Sequence, residues 1–281
     1  MSYVKPDQLI ESAVEVGAAK ATLTVTQLLC RSTLAGAILA CATTVAYTAS
    51  AQTGLPLVGA LVFPVGFVMI VLLGLELVTG SFALIPLAVL ERRATAPAAL
   101  RNFAWAIAGH LLGAAIYLLL YAAVITRMGT DHSDPMITAI VAAAESKTLG
   151  YEALGGAGIA LVVIKAVLCN WMVSIGALMA LTSTSTSGKI LAMWLPVTTF
   201  FSLGFEHAVV NMFVIPAGML LGADVSLGQW WLWNQAPVLL GNLVGALLLT
   251  AGLLYFSHRR APSRAGAVVA VPRTADTVDA A

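Results

Sequence analysis

Charge is the scarcest thing in this chain. Of 281 residues only 14 are Lys or Arg and 13 are Asp or Glu, 10% in all. A soluble domain carries about 25% charged residues, so a water-soluble enzyme or binding module is excluded. The net charge of +1 leaves no electrostatic footprint for nucleic acid. Cysteines number 3 (Cys30, Cys41 and Cys169), an odd count in or beside apolar runs, so packed thiols are expected and a disulfide framework is not. No His-Glu-x-x-His arrangement occurs and no cysteine pair stands at ligand spacing, which speaks against a membrane zinc enzyme. No metal or other cofactor is expected. Residues 1–27 also lack the uncharged core of a secretory leader, because Lys5, Asp7, Glu11, Glu15 and Lys20 interrupt it. They read instead as an amphipathic helix starting at Pro6-Asp7, with Leu9, Ala13, Val16 and Leu23 on one face. Such a helix lies along a membrane interface or packs beneath a bundle.

Apolar residues fill the space that charge leaves. They make up 60% of the chain, and the mean hydropathy is +0.94. Six apolar spans are expected within residues 28–257. The first runs over 28–49, and the second over 57–75 and 82–90, too long for one crossing of about 20 residues. A break near Thr79-Gly80 resolves the excess into two half-helices. The third span covers 103–125, the fourth 154–181, the interrupted fifth 190–221 and the sixth 235–256; residues 258–281 read as a disordered cytoplasmic tail. Lys5, Lys20, Arg31, Arg92, Arg93, Arg101, Lys189, Arg259, Arg260 and Arg264 then fall on one side, and only Arg127 and Lys147 in the loops of the other. The positive-inside rule places both termini in the cytoplasm, and a bacterial-type inner membrane is the expected location.

The stretch Gly204-Phe205-Glu206-His207, followed by Asn211-Met212, puts a carboxylate, an imidazole and a carboxamide inside the fifth span. Ionisable groups at that depth are costly and mark a bundle interior or a wetted path. Gly204 before them and Pro216 after them suggest an interruption, which survives only where protein buries it or a cavity wets it. The stretch has an echo: Gly74-Leu75-Glu76 matches Gly204-Phe205-Glu206, Pro64 matches Pro196, and Gly109-His110-Leu111-Leu112-Gly113 matches Gly241-Asn242-Leu243-Val244-Gly245, at separations of 130 to 132 residues. Three spans per repeat force opposite topology on the halves (about 28–126 and 154–257), and paired interrupted segments in inverted halves point to a midplane transport site.

These residues, with Glu76-Leu77-Val78-Thr79-Gly80 and Lys165-Ala166-Val167-Leu168-Cys169-Asn170-Trp171, resemble the formate/nitrite transporter family over roughly residues 5–257. No Asn-Pro-Ala motif occurs, so aquaporins themselves are not the match. The resemblance implies an all-α, aquaporin-like protomer with helices 2 and 5 interrupted, and a homopentamer in the lipid bilayer with one pore per protomer. It implies passage of a small monovalent anion, formate first, with nitrite, hydrosulfide or lactate as alternatives, and no enzymatic activity. By the same resemblance His207 is the central histidine, Asn170 the amide facing it, and Thr79 the threonine of the broken span. Phe67, Leu77 and Phe200 would form a cytoplasmic constriction, and Phe63, Val78 and Val173 a periplasmic one.

Apolar constrictions strip hydration, and only hydrogen-bond donors replace it for an anion. Thr79, Asn170, His207 and Asn211 are the candidate pathway groups. His207 is the candidate switch, and the sequence leaves open whether it passes a proton. Glu76 and Glu206, at matching break positions, read as caps for freed half-helix N–H groups. Lys165 reads as the cation drawing anions into the outer vestibule, and Arg31 as a snorkelling side chain. A membrane cytochrome with haem between His110 and His207 is the rival from another class.

Overall fold

The computed structural model describes residues 3–258, and the expected tail lies outside them except for His258. Every regular element among the described residues is helical; the one extended contact is an isolated bridge between Tyr3 and Ser183. In order come α1 (Pro6–Ala21), α2 (Val25–Thr53), α3 (Pro56–Val62), α4 (Pro64–Leu72), α5 (Val78–Leu90) and α6 (Ala96–Ile125). Then follow α7 (Pro135–Ser146), α8 (Leu149–Glu152), α9 (Gly156–Met179), α10 (Thr186–Ser202) and α11 (Ala208–Leu221). The last element, α12 (Leu227–His258), runs through two π-helical segments, Trp231–Gln235 and Gly245–Gly252. Among the described residues, four helices are long and apolar enough to cross a membrane: α2, α6, Gly156–Thr182 and α12. Their outward surfaces carry exposed leucines such as Leu112, Leu119, Leu120 and Leu248. Apolar surface on that scale needs lipid or a partner to cover it.

Small residues set the packing. Gly36 of α2 and Gly113 of α6 let those helices touch, since a Cβ on Gly36 would stand 2.6 Å from the His110 carbonyl oxygen. In α12, Gly241 meets α9 in the same way, where a Cβ would lie 2.7 Å from the Val163 oxygen. The glycine pairs of the sequence repeat are therefore the seams of two helix pairs, as close approach in lipid requires.

Both breaks have the same construction. Gly74 (φ 64°) and Gly204 (φ 63°) adopt the left-handed conformation that ends a helix without a Cβ clash. The Leu75 N–H bonds to the Ile70 carbonyl at 2.9 Å, and the Phe205 N–H to the Phe200 carbonyl at 3.2 Å. The first break therefore lies at 73–77, not near Thr79-Gly80, which form the first turn of α5. Gly80 is a packing residue facing Ala177. Pro216 does not interrupt the fifth span either; it sits inside α11, as Pro86 sits inside α5.

The N-terminal helix packs beneath the bundle against α5, burying Ile10, Ala13, Val14 and Ala21, a ridge turned by about one residue from the expected face. Gly17 brings its backbone onto the Leu84 carbonyl. Arg101 binds the Ala21 and Leu23 carbonyls at 3.1 and 2.8 Å, and Asn102 binds the Lys20 carbonyl at 3.1 Å, which fixes the end of α1.

Candidate functional site

A helix that restarts inside a bundle has N–H groups with no intrahelical partner. Glu76 and Glu206 do not cap them. The Val78 N–H donates to His110 Nε2 at 3.1 Å, and the Ala208 N–H to Asn242 Oδ1 at 2.9 Å. His110 and Asn242 hold matching repeat positions, and they do the same work. Since a backbone N–H only donates, His110 Nε2 must be the acceptor and its proton sits on Nδ1, which donates to the Ser32 carbonyl at 2.9 Å. Asn242 likewise spends its amide on the Ala166 and Glu206 carbonyls at 2.8 and 2.9 Å. His110→Leu should leave the buried Val78 N–H unpaired and lower stability by about 1–3 kcal/mol. His110→Asn should retain most of it. Thermal midpoints of the purified protein in one detergent check both.

The carboxylates instead hold cations at the breaks. Glu76 pairs with Lys20 at 2.7 Å and accepts from Ser81. Glu206 pairs with Lys147 at 2.8 Å and accepts from Tyr151 at 2.8 Å and Asn211 at 2.7 Å. Asn211 also donates to Asn234 Oδ1 at 2.8 Å, so it belongs to the clamp around Glu206. Lys165 lies over the Tyr151 ring, 5.8 Å from its centroid, and lines neither cavity described next. The cation beside His207 is Lys147.

Two cavities reach the breaks. One, of about 490 Å³, is lined by Lys20, Phe67, Glu76, Leu77 and Gly80, with Arg31 and Lys189. The other, of about 160 Å³, is lined by Tyr47, Lys147, Phe200, Gly204, His207 and Val210. Phe67 and Leu77 thus share a wall, whereas Phe200 belongs to the other side. Its ring stacks on the His207 imidazole at 5.6 Å and meets Phe63 edge-on at 5.7 Å. Phe63, Val78 and Val173 are all buried.

A hydrogen bond links the segments that follow the two breaks. His207 is the N-cap residue of α11, and its Nδ1 accepts from the Val210 N–H at 3.3 Å. The imidazole proton therefore sits on Nε2, which lies 3.1 Å from Thr79 Oγ1. Thr79 accepts there and keeps its own O–H to donate. Asn170 donates to the Thr79 and Asn242 carbonyls at 3.1 and 2.7 Å, and its buried Oδ1 has no partner among the described residues. With both His110 nitrogens engaged, a haem between His110 and His207 is not supported.

Residues 7–256 match the sequence profile described as formate/nitrite transporter. The chain belongs to that family. Formate/nitrite transporters are membrane transport proteins, not enzymes, and this member is a multi-pass membrane protein. A probable formate transporter of Methanothermobacter thermautotrophicus is 36% identical over 204 residues, 70% of this chain and 73% of the relative. A solved FNT family ion channel superposes with a TM-score of 0.76 at 24% identity, covering 89% of this chain and 98% of that one. A solved pentameric formate channel with formate bound gives 0.68 at 22% identity, covering 83% and 96%.

Sequence reasoning missed Lys20 and Lys147 as partners of the break carboxylates, and Asn242 as a cap. The repeat held the signal for the last: once His110 and Asn242 are aligned, a shared polar role at a shared place follows.

Proposed function

We propose that this transporter passes a small monovalent anion, formate first and nitrite as the alternative, with hydrosulfide or lactate as further candidates. The observation that carries the reading is a pair of cation-bearing cavities, with a buried hydrogen bond tying His207 of the smaller one to Thr79, which stands between Leu77 and Gly80 of the larger one's lining. Each vestibule offers a lysine, and an apolar wall follows, with Phe67 and Leu77 on one side and Phe200 on the other. Dehydration there is offset by the Thr79 hydroxyl.

The same groups fit two forms of the permeant, the anion, which carries current, and, as pH falls, the undissociated acid, which carries its own proton. Thr79 supplies a donor, and Asn170 Oδ1 supplies a buried acceptor that an anion leaves empty and an undissociated acid fills. His207 acts as a fixed neutral donor, because taking a proton on Nδ1 would release the Val210 N–H it caps. Six crossings in two inverted halves fit the matching breaks, with both termini cytoplasmic in an inner membrane. The named pentameric relative supports a homopentamer with one pore per protomer.

Proteoliposomes loaded with formate, nitrite, hydrosulfide, lactate or chloride test the reading. Formate and nitrite efflux should exceed chloride efflux by at least about tenfold, since a fixed anion cannot bring the proton that Asn170 accepts. Equal chloride efflux would sink it.

A further inference from the structure

The larger vestibule holds two cations that the pathway described so far does not use. Arg31, near the start of α2, and Lys189, in the first turn of α10, line it together with Lys20. Lys20 is matched by Glu76 at 2.7 Å. Arg31 and Lys189 are half-buried, and neither has an ion-pair or hydrogen-bond partner among the described residues. Snorkelling to lipid headgroups would place Arg31 on the outer surface; instead it faces a cavity. The smaller vestibule differs. Lys147 is the cation of its lining, and Glu206 matches it at 2.8 Å. On the same connection as Lys147, Glu145 accepts from the Asp224 N–H at 3.4 Å and Glu152 from Gln229 at 2.6 Å. Among the described residues, the larger vestibule thus carries two cations without an ion-pair partner, whereas Lys147 of the smaller one is paired.

We propose that Arg31 and Lys189 give the pore a direction. They concentrate anions in the Lys20 vestibule, so that anion current leaving that vestibule exceeds the reverse current at equal driving force. The inference rests on the anion-pore reading above. A cleft lined by one sign of charge with low-dielectric walls raises the local counter-ion concentration, and the rate of loading with it. The constriction at Phe67 and Leu77 is then approached from a filled reservoir on one side and from a dilute one on the other. Two unpaired charges within a space of about 490 Å³ dominate their surroundings when the Debye length is long, about 30 Å at 0.01 M. At 1 M it falls to about 3 Å, and the reservoir disappears.

Single insertions in planar bilayers give each record one orientation, so mixed insertion does not average the effect away. In sodium formate at about 0.01 M on both sides, wild type should show currents differing about threefold between equal and opposite voltages. At about 1 M the ratio should approach unity. The double variant Arg31→Gln/Lys189→Gln should give a ratio near unity at low salt and an unchanged current at high salt, which shows an intact pore. Arg31→Lys/Lys189→Arg keeps the charges and should keep the ratio. Symmetric wild-type currents at low salt, or a ratio unaltered in the glutamine variant, would overturn the proposal while leaving the anion pore standing. A pore that passes neither formate nor nitrite would overturn both.

Discussion

Replacing His207 by phenylalanine should cut formate flux by about ten- to hundredfold while leaving the assembled protein intact. The variant removes the Nε2 donor to Thr79 and the Nδ1 acceptor for the Val210 N–H together. A hydrogen bond that replaces hydration of a charged or strongly polar permeant is worth about 1.5–3 kcal/mol, which sets that range. His207→Asn is the informative companion. Asparagine is a favoured N-cap, so its carbonyl oxygen can take over the Val210 N–H, and its amide can still donate toward Thr79. It cannot titrate. Wild type and His207→Asn should therefore give superimposable profiles of flux against external pH, both rising as pH falls. Flux measured in matched liposomes decides the matter. Divergent profiles would place the transported proton on the imidazole and sink the argument from the cap.

The second large effect belongs to Lys147. Glu206 is 2% exposed, and Lys147 is its cationic partner. Lys147→Ala strands a buried carboxylate, and breaking such a pair costs about 3–5 kcal/mol. The variant should lose its cooperative melting transition or the stable particle in detergent. Lys147→Met combined with Glu206→Gln removes both charges at similar volume and keeps an acceptor for Tyr151 and Asn211. It should recover most of the stability, since replacing a whole buried pair is often neutral. Size-exclusion profiles and thermal midpoints of the three proteins are the measurement. A double variant no better than Lys147→Ala would mean that Lys147 acts through contacts other than its ion pair.

Much of the site could be read from residue order, because the breaks are local. Glycine before a carboxylate in an apolar run, repeated after 130 residues, marks both breaks and their polar groups, although the first break, expected near Thr79-Gly80, lies at 73–77. What failed was everything that depends on which wall a side chain joins. Lys147 stands in a polar loop by sequence, yet it reaches Glu206, 59 residues away. Lys165 stands in an apolar span and goes to an aromatic ring instead. Phe200 precedes the break and His207 follows it, yet the turn between them stacks the two rings. Assigning Phe200 to the side of Phe67 required knowing how α4 and α10 pack, which spacing does not encode. The caps failed for a simpler reason. A carboxylate is a good acceptor, but at these breaks a lysine competes for it and offers a full charge.

The distribution of these polar contacts has a consequence for biogenesis. Lys20 with Glu76, and His110 with Val78, tie the first break with residues before 127 alone. Lys147 with Glu206, and Asn242 with Ala208, satisfy the second from residues after it. A ribosome adding about 5–20 residues per second finishes the first half on the order of ten seconds before the second. During that wait the first half holds no stranded carboxylate in lipid, so nothing forces it back out of the bilayer. Thr79 waits for His207, and the contact between the two breaks forms only when the late half arrives.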